Sequence, residues 1–176
     1  LNGGGAYCGG SRADVTFRNC VIAGNTASAG AGLFAEWKAS FGPASRRTRV
    51  AVVNCTVAGN LLSSLSGSPS GGIQSTGVDI LVNSSIVWNN SGTALKLIDS
   101  LLRDPVSYSD IQRGYAGDGN LNTDPFFANE WAGDYHLKSM YGRYHSANGT
   151  WVTDSHQSPC IDAGDPSESA AEEPVS

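Results

Sequence analysis

The segment at residues 15–25, V-T-F-R-N-C-V-I-A-G-N, returns at residues 50–60 as V-A-V-V-N-C-T-V-A-G-N, aligning Cys20 with Cys55 and Asn25 with Asn60. A third copy covers residues 80–90 (I-L-V-N-S-S-I-V-W-N-N) and a degenerate fourth covers 106–114, at spacings of 35, 30 and 24 residues. Upstream of each copy lies a second recurring element: Gly5-Ala6-Tyr7-Cys8, Gly32-Leu33-Phe34-Ala35, Gly72-Ile73-Gln74-Ser75 and Ala94-Leu95-Lys96-Leu97. Each unit therefore holds at least two short alternating strands separated by turns. A unit of this size has no way to bury its apolar face alone, so it must stack on its neighbours.

Stacking predicts parallel strands about 4.8 Å apart, with equivalent residues forming inward columns. The expected columns are Val15, Val50 and Ile80; Phe17, Val52, Val82 and Val106; Cys20, Cys55, Ser85 and Ser109; and Ile22, Val57, Val87 and Ile111. Asn25, Asn60 and Asn90 would stack at a turn and bond up and down a ladder. Asn83 also resembles Asn19 and Asn54, which offers a register slipped by one residue, but only the unslipped register turns Ile80 and Val82 inward.

Composition agrees with short strands. Charged residues make up 15% of the chain, which leaves little to dress helical surfaces, and 22 glycines sit among Ser, Thr and Asn between Val/Ile/Leu runs. The net charge of −5 and the absence of any basic run beyond Arg46-Arg47 with nearby Arg49 argue against nucleic acid as a partner. No apolar stretch approaches the roughly 20 residues that span a bilayer. Because the chain opens inside a repeat, it reads as part of a longer polypeptide whose export signal lies elsewhere; a monomer is expected. The four cysteines are an even set without zinc-site spacing. In-register neighbours give poor disulfide torsions, so Cys20 and Cys55 are expected as a reduced, buried stack.

These repeats, with their G-G-G-x-Y-C and N-C-x-I/V-x-G-N signatures, resemble the right-handed parallel β-helix repeat family, which includes pectate-lyase-like proteins and bacterial polymorphic surface proteins. Residues 3–115 carry the resemblance. Tyr108-Ser109-Asp110-Ile111-Gln112, Asp124-Pro125-Phe126-Phe127, Asp134-Tyr135-His136-Leu137 and Ser158-Pro159-Cys160-Ile161-Asp162-Ala163-Gly164 are similar to the C-terminal ends of secreted bacterial members. The expected fold is all-β, a right-handed parallel β-helix (solenoid) with an irregular C-terminal cap. The resemblance implies a secreted or cell-surface protein, but the family mixes lyases, hydrolases, epimerases and adhesins, so it implies no single activity.

The coils should occupy residues 1–115, a cap region 116–166, and an acidic flexible tail 167–176. Two insertions, 36–49 and 60–70, interrupt the coils.

Outward residues of the first strand of each coil, Tyr7, Phe34, Gln74 and Lys96, should form a line, which Glu36, Trp37 and Lys38 enlarge. Aromatic faces stack on sugar rings, and amide and ammonium groups bind hydroxyls or carboxylates, so this row is the candidate site for a polysaccharide or cell-surface glycan. In pectate-lyase-like enzymes the strand face that this row resembles forms the substrate groove. The bland reading is a stabilising aromatic ladder, or a row covered by the first insertion. For polyuronate cleavage, Lys38, Arg46, Arg47 and Lys96 are the available cationic groups and Glu36 a carboxylate for hydrolysis, but no motif joins them into a catalytic set. Asp118, Asn120, Asn122 and Asp124 place oxygens at alternate positions, as in the front half of a calcium loop, although the closing Glu is missing at the usual offset. Turn formation before Asp124-Pro125 explains the same residues. His136, His145 and His156 lack ligand spacing. The expected function is a non-catalytic extracellular module presenting a flat strand face to carbohydrate or a surface. A fragment of a polysaccharide-active enzyme and a purely structural stalk are the alternatives.

Overall fold

The computed structural model describes residues 1–10, 13–37, 48–65, 67–103, 105–145 and 147–168. Within them the chain winds through four coils. The first holds β1 (Ala6–Gly9), β2 (Asp14–Arg18), β3 (Val21–Ala23) and β4 (Thr26–Ala27), and the second holds β5 (Leu33–Glu36), β6 (Arg49–Val53), β7 (Thr56–Ala58) and β8 (Leu61–Leu62). The third comprises β9 (Ser70–Thr76), β10 (Asp79–Asn83) and β11 (Ile86–Trp88), and the fourth β12 (Thr93–Ile98), β13 (Val106–Ser107) and β14 (Asp110–Ile111). Equivalent strands pair in parallel, giving three four-stranded sheets in the orders β1-β5-β9-β12, β13-β10-β6-β2 and β14-β11-β7-β3. The architecture is an all-β, right-handed parallel β-helix.

Each repeat bends into two strands where the sequence places Asn19, Asn54, Ser84 and Tyr108. These four adopt left-handed backbone conformations with φ of 54°, 50°, 49° and 47°. Short polar side chains tolerate this region best, which is why Asn recurs at the corner. Inside the corner, the side chain of one rung accepts the backbone N–H of the rung before it. Cys55 Sγ takes Cys20 N–H at 3.4 Å, Ser85 Oγ takes Cys55 N–H at 3.1 Å, Ser109 Oγ takes Ser85 N–H at 3.1 Å and Asn120 Oδ1 takes Ser109 N–H at 3.0 Å. A second ladder of Asn25, Asn60 and Asn90 follows the same polarity.

The expected columns are present in register: Val15 pairs with Val50 and Val50 with Ile80, while Phe17, Val52, Val82 and Val106 form one line, and so do Ile22, Val57, Val87 and Ile111. From the second coil onward these residues are buried in one continuous core. Each such Val or Ile contributes roughly 1.5–3 kcal/mol by leaving water, which is what drives the rungs together.

Beyond the fourth coil, Leu121 bridges Asp110 in parallel, so residues 118–121 lie under the last rung and close its edge. The chain then turns back along the flank of the solenoid instead of covering its end further. It forms two antiparallel pairs, β15 (Phe127–Asn129) with β16 (Asp134–Leu137) and β17 (Arg143–His145) with β18 (Thr150–Val152). The returning segment is tied to the first, third and fourth coils: Cys160 Sγ–H donates to Asp110 Oδ2 at 3.2 Å, Asp165 N–H to Ser84 Oγ at 3.0 Å, Asn89 Nδ2 to Glu130 Oε2 at 3.1 Å, and Arg18 Nη1 to Glu168 Oε2 at 3.2 Å. Most of the acidic tail lies outside the described residues. Among the described residues no helix is long and apolar enough to cross a membrane.

Candidate functional site

Strand pairing puts Tyr7 beside Phe34, Phe34 beside Gln74 and Gln74 beside Lys96, so the outward row is continuous across four coils. Its members differ in what they present. Tyr7 is 51% exposed and Phe34 only 4%. The two rings are parallel, 7° apart in plane with centroids 6.2 Å apart, so Phe34 backs Tyr7 and offers no face of its own. Gly9, two residues along the same strand, lets the Tyr7 ring lie down on the sheet. A Cβ at Gly9 would meet Tyr7 Oη at 2.5 Å and Cζ at 2.8 Å. The ring is pinned at its far end by a hydrogen bond of 2.7 Å from its hydroxyl to Glu36 Oε1. The result is a half-exposed aromatic plate seated on the sheet and anchored at its tip.

The other end of the row is engaged by the second excursion. Lys96 Nζ donates to the carbonyls of Gly67 and Ser68 at 3.1 and 2.8 Å, and Gln74 Oε1 accepts Ser70 N–H at 3.0 Å. Trp37, at the end of β5, packs over Gly77 and borders a cleft of about 480 Å³ with Thr76, Asp99 and Leu101. Lys38, Arg46 and Arg47 lie outside the described residues.

Three of the side-chain oxygens considered for calcium accept backbone N–H groups. Asn120 Oδ1 takes Ser109 N–H, Asn122 Oδ1 takes Arg113 N–H at 2.8 Å, and Asp124 Oδ1 takes Phe126 N–H at 2.8 Å, while the carbonyl of Asp118 accepts Tyr108 N–H. Among the described residues no group of three His, Cys, Asp or Glu side chains is arranged to hold a metal ion. All four cysteines are free thiols. Burial raises the Cys55 thiol above the ordinary cysteine value, so it is a poor nucleophile.

A groove of about 500 Å³ runs between the corner file, Asn19, Asn54 and Ser84, and the returning segment at Asp162–Glu168. Asp110 lies at its floor, buried, and desolvation lifts its carboxyl above the usual range despite the N–H of Thr123. The repeat pattern of Tyr108–Gln112 identified Asp110 only as a strand residue. Sequence reasoning also missed Gly9, whose signal was its place two residues from Tyr7 on the same outward face.

A sequence model of the family described as disaggregatase related matches residues 8–164, and the chain belongs to that family. No curated protein and no solved structure matches the chain.

Proposed function

We propose that this member of the disaggregatase-related family is a non-catalytic module, working at the cell surface or in secreted form, that holds an extended polysaccharide against the first-strand face. The observation that carries the reading is the Tyr7 plate: a half-exposed ring set over Gly9, stacked beside Phe34 and bonded at its tip to Glu36. Such a plate loses little freedom on stacking against the apolar face of a sugar, so its contact area converts to affinity efficiently. Trp37 and Thr76 continue the surface along the strand direction. Glu36, Gln74 and Lys96 have their polar atoms tied within the chain, which favours holding a ligand over reacting with it.

Affinity electrophoresis against acidic and neutral polysaccharides tests the reading. Retardation by at least one of them, weakened about tenfold in Tyr7→Ala, is the expected result, corresponding to loss of roughly one stacking contact. Retention of all binding in that variant rejects the site. Release of unsaturated uronate products would instead favour the polysaccharide-active enzyme reading.

A further inference from the structure

The two ends of the solenoid differ. Residues 118–121 lie under the last rung, where Tyr108 N–H donates to Asp118 O and Ile111 N–H to Leu121 O. At the other end β1, β2 and β3 are each the outermost strand of their sheet. The inward residues there, Ala6, Val15, Phe17, Cys20 and Ile22, are only partly buried, whereas their column partners Leu33, Val50, Val52, Cys55 and Val57 are at most 3% exposed. An open strand edge above an open core is a template for another strand.

The hydrogen-bond pattern specifies what this face accepts. A coil is joined to the one before it in two ways. Its backbone N–H groups reach back to carbonyls, as Arg49, Thr56 and Leu61 do to Ala13, Cys20 and Asn25. Its corner side chains receive N–H groups, as Cys55 Sγ and Asn60 Oδ1 do from Cys20 and Asn25. By register, Asp14, Val21 and Thr26 stand where Arg49, Thr56 and Leu61 stand one coil later, so their N–H groups point out of the open face. Beside them are Cys20 Sγ and Asn25 Oδ1, which receive no backbone N–H among the described residues. A partner must therefore supply carbonyls over Asp14, Val21 and Thr26, N–H groups over Cys20 and Asn25, and apolar side chains over Val15, Phe17 and Ile22.

A parallel, in-register coil of this repeat supplies all three at the strand spacing of about 4.8 Å. A second copy of the chain does not: residues 118–121 close its last coil, and its first coil brings acceptors where donors are needed. We infer that the open face of the first coil is an interaction surface for one further coil of the same repeat, docked parallel to β2 and β3 by strand addition. The contact uses strand edges and inward side chains, so it is independent of the outward Tyr7 ring.

Because Ala6 pairs with Leu33, repeating residues 6–32 in tandem within the whole chain places a new coil ahead of the first with the register kept. Amide hydrogen exchange of the native and tandem chains tests the inference. In the native chain the amides of Asp14, Val21 and Thr26 should exchange freely while those of Val52 and Val82 are protected. In the tandem chain, the copies of Asp14, Val21 and Thr26 nearer the second coil should slow at least about a hundredfold. Cys20→Ser in that copy, which keeps an acceptor, should preserve the protection, whereas Cys20→Val, which does not, should lose about tenfold of it. The inference is overturned if those amides stay fast although Val52 and Val82 remain protected, or if Cys20→Val protects as well as Cys20→Ser. Protection of Asp14, Val21 and Thr26 in the native chain that rises with its own concentration would give the face to a second copy and overturns it as well.

Discussion

The side-chain amide of Asn60 donates to Asn90 Oδ1 across 2.8 Å in the interior of the solenoid. Asn60 is fully buried, yet its polar atoms are matched: Nδ2 also reaches Ile22 O at 2.9 Å, and Oδ1 accepts both the backbone and side-chain N–H groups of Asn25 at 3.0 Å. One side chain thus fastens three successive coils, and the desolvation of polar groups stacked in this way is offset by their mutual bonds while every member is present.

Replacing Asn60 by Ala should therefore be costly, by at least about 3 kcal/mol, because partners on both neighbouring coils lose their bonds in a buried site. Asn25→Ala, in the outermost and partly exposed rung, should cost only about 1 kcal/mol. Urea unfolding of the two variants checks the ratio, and equal losses would mean the ladder is not cooperative.

Gly9→Ala should act on Tyr7 and little else. The added methyl occupies the space under the phenol ring, and because the ring tip is the movable part, it swings off the sheet and leaves Glu36. Global stability should change by less than about 1 kcal/mol, whereas polysaccharide retardation should fall as far as in Tyr7→Ala. Tyr7→Phe, which keeps the stack on Phe34 but loses the hydroxyl bond, should fall between wild type and Tyr7→Ala.

The cysteine file predicts tolerance to one exchange and not to another. Ser85 and Ser109 already accept the backbone N–H of the preceding rung from the positions equivalent to Cys55. Cys55→Ser should thus stay within about 1 kcal/mol of wild type, while Cys55→Val leaves Cys20 N–H without its acceptor and should cost about 1–3 kcal/mol. In the native chain, Cys55 should react with a thiol reagent only at the rate of unfolding, whereas partly exposed Cys20 should react faster.

Asp110 gives the pH dependence a definite sign. Burial raises its carboxyl pKa in the folded chain above the unfolded value, so the stability linked to its proton is fully present below the unfolded pKa and is lost as pH rises through the raised one. Asp110→Asn, which keeps an oxygen for Thr123 N–H, should gain on the wild type between pH 3 and pH 7. Asp154 has the opposite sign. Burial works to raise its pKa, but the bonds from Arg143 and Ser139 outweigh it and lower the folded value, so its contribution is present above the unfolded pKa and disappears as pH falls through the lowered one. Denaturant midpoints of the wild type, Asp110→Asn and Asp154→Asn across that range separate the two.

The order of rungs was legible before any coordinates, because Val15, Val50 and Ile80 recur with the Cys/Ser and Asn positions at constant offsets, and a translation along one axis maps each copy onto the next. Alternation within Gly5–Cys8 and its copies likewise told inward Leu33 and Ile73 from outward Phe34 and Gln74. The repeat pattern alone thus specified the solenoid, its core columns, its asparagine ladder and the continuity of the outward row, while the acceptance of backbone N–H groups by the Cys/Ser column came from the structure. Tertiary packing set which members of that row meet solvent, where Gly67 and Ser68 land, and how the segment after residue 126 returns along the flank, bringing Arg143 within 3.7 Å of Asp134 and Cys160 onto Asp110. The physical reason is the difference between repeated and unique contacts. A stacked coil meets a copy of itself, so its own pattern specifies its partner, whereas the returning segment and the excursions meet surfaces that share no period with them and are placed by side-chain fit alone.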